Sequence, residues 1–134
     1  EQWWADANNV DFIIHTVVNL VNVLELDKLV EYIHNELPLW RVEWDWIRWP
    51  HWQQLSSLPE SVKKDLIEKY NRLNLEYNYV KIDNPYKVTV ERLSEDRIDS
   101  WQLVKENILK LDKERNLNFL EMVPCFKDIW NLDD

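Results

Sequence analysis

The chain has 134 residues, enough for one domain, and carries 25 acidic against 16 basic side chains for a net charge of -9. It therefore lacks the basic footprint that neutralises phosphates, which makes nucleic acid and anionic membranes poor partners. Hydrophobic residues at 46% and charged residues at 31% exclude a disordered chain. An N-terminal turn or short helix is expected first. Val10 to Val18, reading VDFIIHTVV, is then a nearly continuous apolar and β-branched run, the pattern of a buried parallel strand. Leu26, Leu29, Val30, Ile33 and Leu37 recur at helical spacing and predict a helix ended by Pro38, with Asn22-Val23-Leu24-Glu25 as its capping box. From Leu39 to Pro50, Trp40, Val42, Trp44 and Trp46 alternate with Arg41, Glu43 and Asp45, which predicts a second strand with one wet or functional face.

Residues 10 to 48 thus read as a βαβ unit with parallel strands, and such a sheet calls for further strands. Ser57-Leu58-Pro59-Glu60 reads as a second capping box, opening a helix whose apolar stripe is Val62, Leu66, Ile67, Tyr70 and Leu73. The pattern breaks between Asn74 and Leu93, where Asn84-Pro85 marks a turn and Tyr86 to Val90 suggests a short strand. Trp101, Val104, Ile108 and Leu111 define a third long helix ending near Arg115, followed by Phe119 to Met122 and a last turn opened by Pro124. No repeat or flexible linker divides the chain. The expected fold class is α/β in one domain, a partial barrel-like βαβ unit over about residues 10 to 55 with mainly helical residues 56 to 134 as a C-terminal cap.

The single cysteine, Cys125, allows neither an internal disulfide nor a zinc-ligand set, and favours a reducing compartment. No apolar run approaches the roughly 20 residues that span a bilayer, and Glu1-Gln2-Trp3-Trp4-Ala5-Asp6 lacks the basic and apolar regions of a leader. A cytoplasmic location is expected. Glycine is absent, which excludes P-loop and dinucleotide fingerprints. Together with the missing initiator methionine, that absence points either to a product of an AT-rich genome or to the glycine-poor part of a longer protein.

The order of three segments resembles a known group. IIHTVVNLVNVLELDKLVEYI is similar to the fifth strand and following helix of the radical SAM barrel. WDWIRWP with LSSLPESVKKDLIEKY, and then LVKENILKLDKERNLNFLEMVPCF, resemble the later segments of twitch-type radical SAM proteins of marine viruses and bacteria. The resemblance covers most of residues 2 to 130. It implies a host cytoplasm if the source is viral, and a parent enzyme holding a [4Fe–4S] cluster and S-adenosylmethionine (SAM). The three-cysteine motif that binds such a cluster is missing here, so this chain would be the C-terminal half, without a cofactor or catalytic residue of its own. Its partner would be the absent N-terminal half. It also implies that Thr16, Asn19 and Asn22, at or just beyond the end of the first strand, face SAM.

Other readings of the residues stay open. Asn22 can simply cap the next helix. Arg41, Glu43 and Asp45 either point into a barrel lumen as substrate-binding candidates or face solvent. Trp40, Trp44, Trp46, Trp49 and Trp52 are core residues or an aromatic platform for sugars or bases. His15, His34 and His51 lack metal-motif spacing and read as ordinary imidazoles. Rival functions are a small acidic tryptophan-rich protein-interaction module and an aromatic carbohydrate-binding module. Unpaired strand edges and so many tryptophans predict a homodimer or higher oligomer.

Overall fold

The computed structural model describes residues 12–37 and 40–133. The predicted N-terminal turn or short helix, and the calls on Val10, Asp11, Pro38 and Leu39, lie outside these residues. Strand β1 (Ile13–Val18) leads through a 3-10 turn (Asn22–Glu25) into α1 (Leu26–Glu36), and strand β2 (Arg41–Trp46) then pairs with β1 in parallel. The register runs from Ile13 opposite Arg41 to Val18 opposite Trp46. The βαβ reading therefore holds. The crossover helix α1 buries Leu26, Val30 and Ile33 in the same core as Val18 and Val42 of the two strands.

The sheet gains a partial third member from the loop beyond the next helix. Val42 donates its N–H to Lys81 O at 3.1 Å and accepts from Asp83 N at 3.2 Å, forming a parallel bridge to Ile82. Past β2, the Trp49–Pro50 peptide is cis, and two 3-10 turns, His51–Gln53 and Leu55–Ser57, lead to α2 (Glu60–Glu76). Helix α3 (Tyr86–Leu93) packs on α2, and α4 (Trp101–Arg115), α5 (Phe119–Met122) and α6 (Lys127–Trp130) complete the chain. Among the described residues the architecture is mixed α/β, largely helical, around a two-stranded parallel sheet. No described helix is long and apolar enough to cross a membrane.

The core runs from Val18, Val23 and Val42 through Leu58, Tyr70 and Leu93 to Trp101, Val104 and Phe126. Tyr70 is its polar anchor. Its hydroxyl donates to Val23 O and accepts from Leu26 N at 3.2 Å, so α2 satisfies backbone groups where the 3-10 turn becomes α1. Burial pushes the Tyr70 phenol well above its ordinary range, and burial does the same to Tyr77 and Tyr86.

Three expectations are corrected. Tyr86–Val90 is helical, because Asn84 Oδ1 accepts the Tyr86 N–H at 2.9 Å and Pro85 precedes the first turn. The Asn-Pro pair is thus a helix start. Thr89 is accommodated there by donating its hydroxyl to Pro85 O at 2.6 Å. The capping box at Asn22–Glu25 is displaced, since Asn19 and not Asn22 is the cap. The Ser57–Glu60 box does not form. Ser57 is buried and donates to His51 O at 3.1 Å, so α2 begins after Pro59 without a side-chain cap.

Candidate functional site at the sheet face and strand ends

The two faces of the β1–β2 pair differ in what covers them. On one, Ile14, Thr16 and Val18 of β1 and Val42, Trp44 and Trp46 of β2 are buried or half-buried. Trp44 Nε1 donates to Asp83 O at 2.7 Å and Trp46 Nε1 to Thr89 Oγ1 at 3.0 Å, so both indoles are fastened to the α2–α3 half of the molecule. The other face carries Ile13, His15 and Val17 opposite Arg41, Glu43 and Asp45. There Ile13 is 39% and Val17 48% exposed, Arg41 and Asp45 are exposed, and Glu43 is half-buried. Imidazole and carboxylate meet between His15 Nε2 and Glu43 Oε2 at 3.3 Å. The three candidate substrate-binding residues are thus brought together on the open face.

Of the candidate SAM-side residues, Asn19 and Asn22 are brought together and Thr16 is not. Thr16 lies within β1 on the covered face, paired with Trp44. Asn19 and Asn22 instead build a reciprocal cap. Asn19 Oδ1 accepts from Val21 N at 2.9 Å and Asn22 N at 3.0 Å, while Asn22 Oδ1 accepts from Asn19 N at 2.9 Å. Asn22 Nδ2 then donates to Val17 O at 2.8 Å, which ties the turn to the end of the strand. The amide of Asn22 is spent on backbone groups, whereas the Nδ2 of Asn19 has no partner among the described residues.

Asn19 also lines an apolar pocket of about 220 Å³ at the C-terminal end of β1, which sequence reasoning missed. Its walls include Trp52, Ile108, Leu111, Phe119 and Met122, with Asp112 and Arg115 on the same face of α4. The helical spacing of Ile108, Leu111, Asp112 and Arg115 signals that shared face in the sequence, but nothing there shows that the face meets Asn19. A second hollow of about 480 Å³ lies beside β2, where His34 and Tyr79 stack at 4.0 Å. A charged groove of about 500 Å³ runs past Lys63 and Arg97. Buried Lys63 Nζ donates to Ser56 O at 3.0 Å and meets Glu60 Oε1 at 2.9 Å, and this pairing holds the Glu60 carboxyl below its ordinary range. The cationic end of Lys63 is therefore committed to the fold.

The remaining sequence candidates are dispersed. Trp40 stacks at a tilt on Phe12 at 5.0 Å, Trp49 is 74% exposed and edge-on to His51, and the Trp44 and Trp46 rings pack against the core. No common platform joins them. Among the described residues no three His, Cys, Asp or Glu side chains converge as a metal site. A [4Fe–4S] cluster does not fit this chain, because three thiolates are required and only Cys125 exists. That half-buried thiol is raised by burial first and then by its hydrogen bond to Glu25. Comparisons with protein families, with curated proteins and with solved structures find no match.

Proposed function

We propose that this chain is a catalytically inert C-terminal portion of a radical SAM enzyme of unknown substrate, in which it supplies part of the barrel wall and a helical cap. The observation that carries the reading is the asymmetry of the parallel β1–α1–β2 unit. One face is covered by the chain's own helices, and the other is left with Arg41, Glu43 and Asp45 in a row. In a parallel barrel the outer face meets helices and the inner face meets the lumen, so these charges would line the substrate side. Of the SAM-side candidates Thr16, Asn19 and Asn22, Asn19 would be the one left to approach SAM through its amide, since Thr16 lies on the covered face and the Asn22 amide is spent on backbone groups. The cluster and SAM would be held by the absent N-terminal half, and this chain would hold neither alone.

The test is to read the coding frame upstream of Glu1 for a Cys-x-x-x-Cys-x-x-Cys motif, then express the joined protein and reconstitute it anaerobically with iron and sulfide. The expected result is a brown protein that cleaves SAM when reduced, while residues 1–134 alone stay colourless and leave SAM intact. An upstream frame without the motif, or a joined protein that binds no cluster, overturns the proposal.

Exposed Ile13 and Val17 favour a second reading, a protein-interaction module that works through the same face. Here the occupant proposed is a second copy of the chain, forming a homodimer across the edge of β1 that no other described strand pairs. The carbohydrate-binding reading has less support, since the β2 indoles are packed and hydrogen-bonded inside.

A further inference from the structure

The geometry points to a ligand site in the pocket at the C-terminal end of β1, for a small monocarboxylate with an aromatic or branched apolar body. Its position is the first reason. Open α/β structures place ligands beyond the carboxyl ends of parallel strands, and this pocket lies where β1 turns away towards α1. Its wall is the second. Ile108, Leu111, Phe119 and Met122 present aliphatic, aromatic and thioether surface, closed on the strand side by Leu20, whose N–H is already taken by Gln53 O at 3.0 Å. At about 220 Å³ it takes a molecule of roughly ten non-hydrogen atoms, well short of a nucleotide.

The polar groups decide the class of ligand. Both Asp112 carboxylate oxygens accept the Phe119 N–H, at 3.0 and 3.2 Å, and Asn19 Oδ1 accepts from two backbone N–H groups. These two acceptors are therefore engaged, which leaves the Gln53 amide oxygen as the other side-chain acceptor on the wall. The donors are not: Asn19 Nδ2, Trp52 Nε1 and the exposed Arg115 guanidinium have no partner among the described residues. A donor-rich rim above an apolar floor suits an acceptor with a hydrophobic tail, and the planar fork of arginine suits a carboxylate. A cationic ligand would meet Arg115 with like charge, whereas the one lining carboxylate, Asp112, has both oxygens engaged by the Phe119 N–H. A phosphate ester would find one arginine where a cluster is needed. This inference does not rest on the radical SAM reading, with which it would compete for the Asn19 amide.

Phenylacetate is the probe, with phenylacetamide as its uncharged counterpart of the same size. The readout is the indole N–H resonance of Trp52 in a ¹H–¹⁵N spectrum, assigned with Trp52→Phe, together with calorimetric titration. Phenylacetate should shift that resonance saturably, and the amide should bind about tenfold more weakly, the cost of one charge-assisted contact. Arg115→Gln should weaken phenylacetate by about the same factor while leaving the amide and the melting temperature unchanged. Leu111→Trp should fill the pocket and abolish binding of both. If that variant does not fold, the surface variant Arg115→Gln still decides. Absence of a saturable shift, equal affinity for acid and amide, or indifference to Arg115→Gln would each overturn the assignment.

Discussion

The two faces of one small sheet follow the same alternation of residues and come to opposite ends. On the covered face, Val18 and Val42 are fully buried, and the Trp44 and Trp46 indoles reach across to Asp83 and Thr89. On the bare face, Ile13 and Val17 stay in water beside Arg41, Glu43 and Asp45. Parallel sheets are ordinarily covered on both sides. The difference separates the side that folding itself buries from the side it leaves in water.

The largest expected effect comes from moving the character of the bare face onto the covered one. Val42→Asp places an unpaired charge in the core, and should cost on the order of 4 kcal/mol, read as loss of the cooperative urea transition. Alkali attacks the same side of the sheet through its phenols. Burial raises the Tyr70, Tyr77 and Tyr86 pKa values above the ordinary value of about 10, so the folded state keeps these protons more tightly than the unfolded state does. Their stabilising contribution is complete below about pH 10 and is lost as pH rises above it, and the urea midpoint should fall accordingly. A midpoint flat to about pH 12 would show that these phenols are not buried as described.

Tyr70→Phe should cost about 2 kcal/mol, because Val23 O and Leu26 N lose their common partner inside the core. The same substitution should reduce the alkaline loss to the part that Tyr77 and Tyr86 contribute. Trp46→Phe, which removes only the bond to Thr89 Oγ1 and part of a ring, should cost about 1 kcal/mol by thermal unfolding. On the bare face, Val17→Glu should change stability by no more than about 0.5 kcal/mol, yet convert a sedimenting dimer to monomer. A monomeric wild type at tens of micromolar would remove self-association as the role of that face.

The βαβ unit was legible because two signals agreed. An apolar β-branched run and a strict tryptophan–charge alternation leave little freedom of period, and the helix between them has a continuous stripe at Leu26, Val30 and Ile33. The misreadings were local. Asn, Pro and the β-branched run at Val88–Val90 describe a turn and strand as well as a capped helix start, and packing on α2 chose the helix. Asn19 and Asn22 each satisfy a cap pattern, and only the bonds that Asn19 Oδ1 accepts from Val21 N and Asn22 N show which serves as the cap and which answers it. Of the candidate site, the row Arg41, Glu43 and Asp45 was visible as a face, but whether that face was open was not. The pocket was illegible, since Asn19 and Trp52 meet α4 and α5 only through the tertiary fold.

The bridge from Val42 to Ile82 bears on the order in which the molecule assembles. Ile82 sits in the connection between α2 and α3, two helices that are neighbours in sequence and in space, so their pairing closes a short loop at small entropic cost. Parallel strands have no such shortcut and must wait for a long excursion of chain to return. Once α2 and α3 have docked, the segment around Ile82 presents a ready edge for β2, and β2 in turn presents one for β1. Folding should therefore proceed against the direction of the chain, with its N-terminal strand last to be secured and first to exchange its amides with solvent.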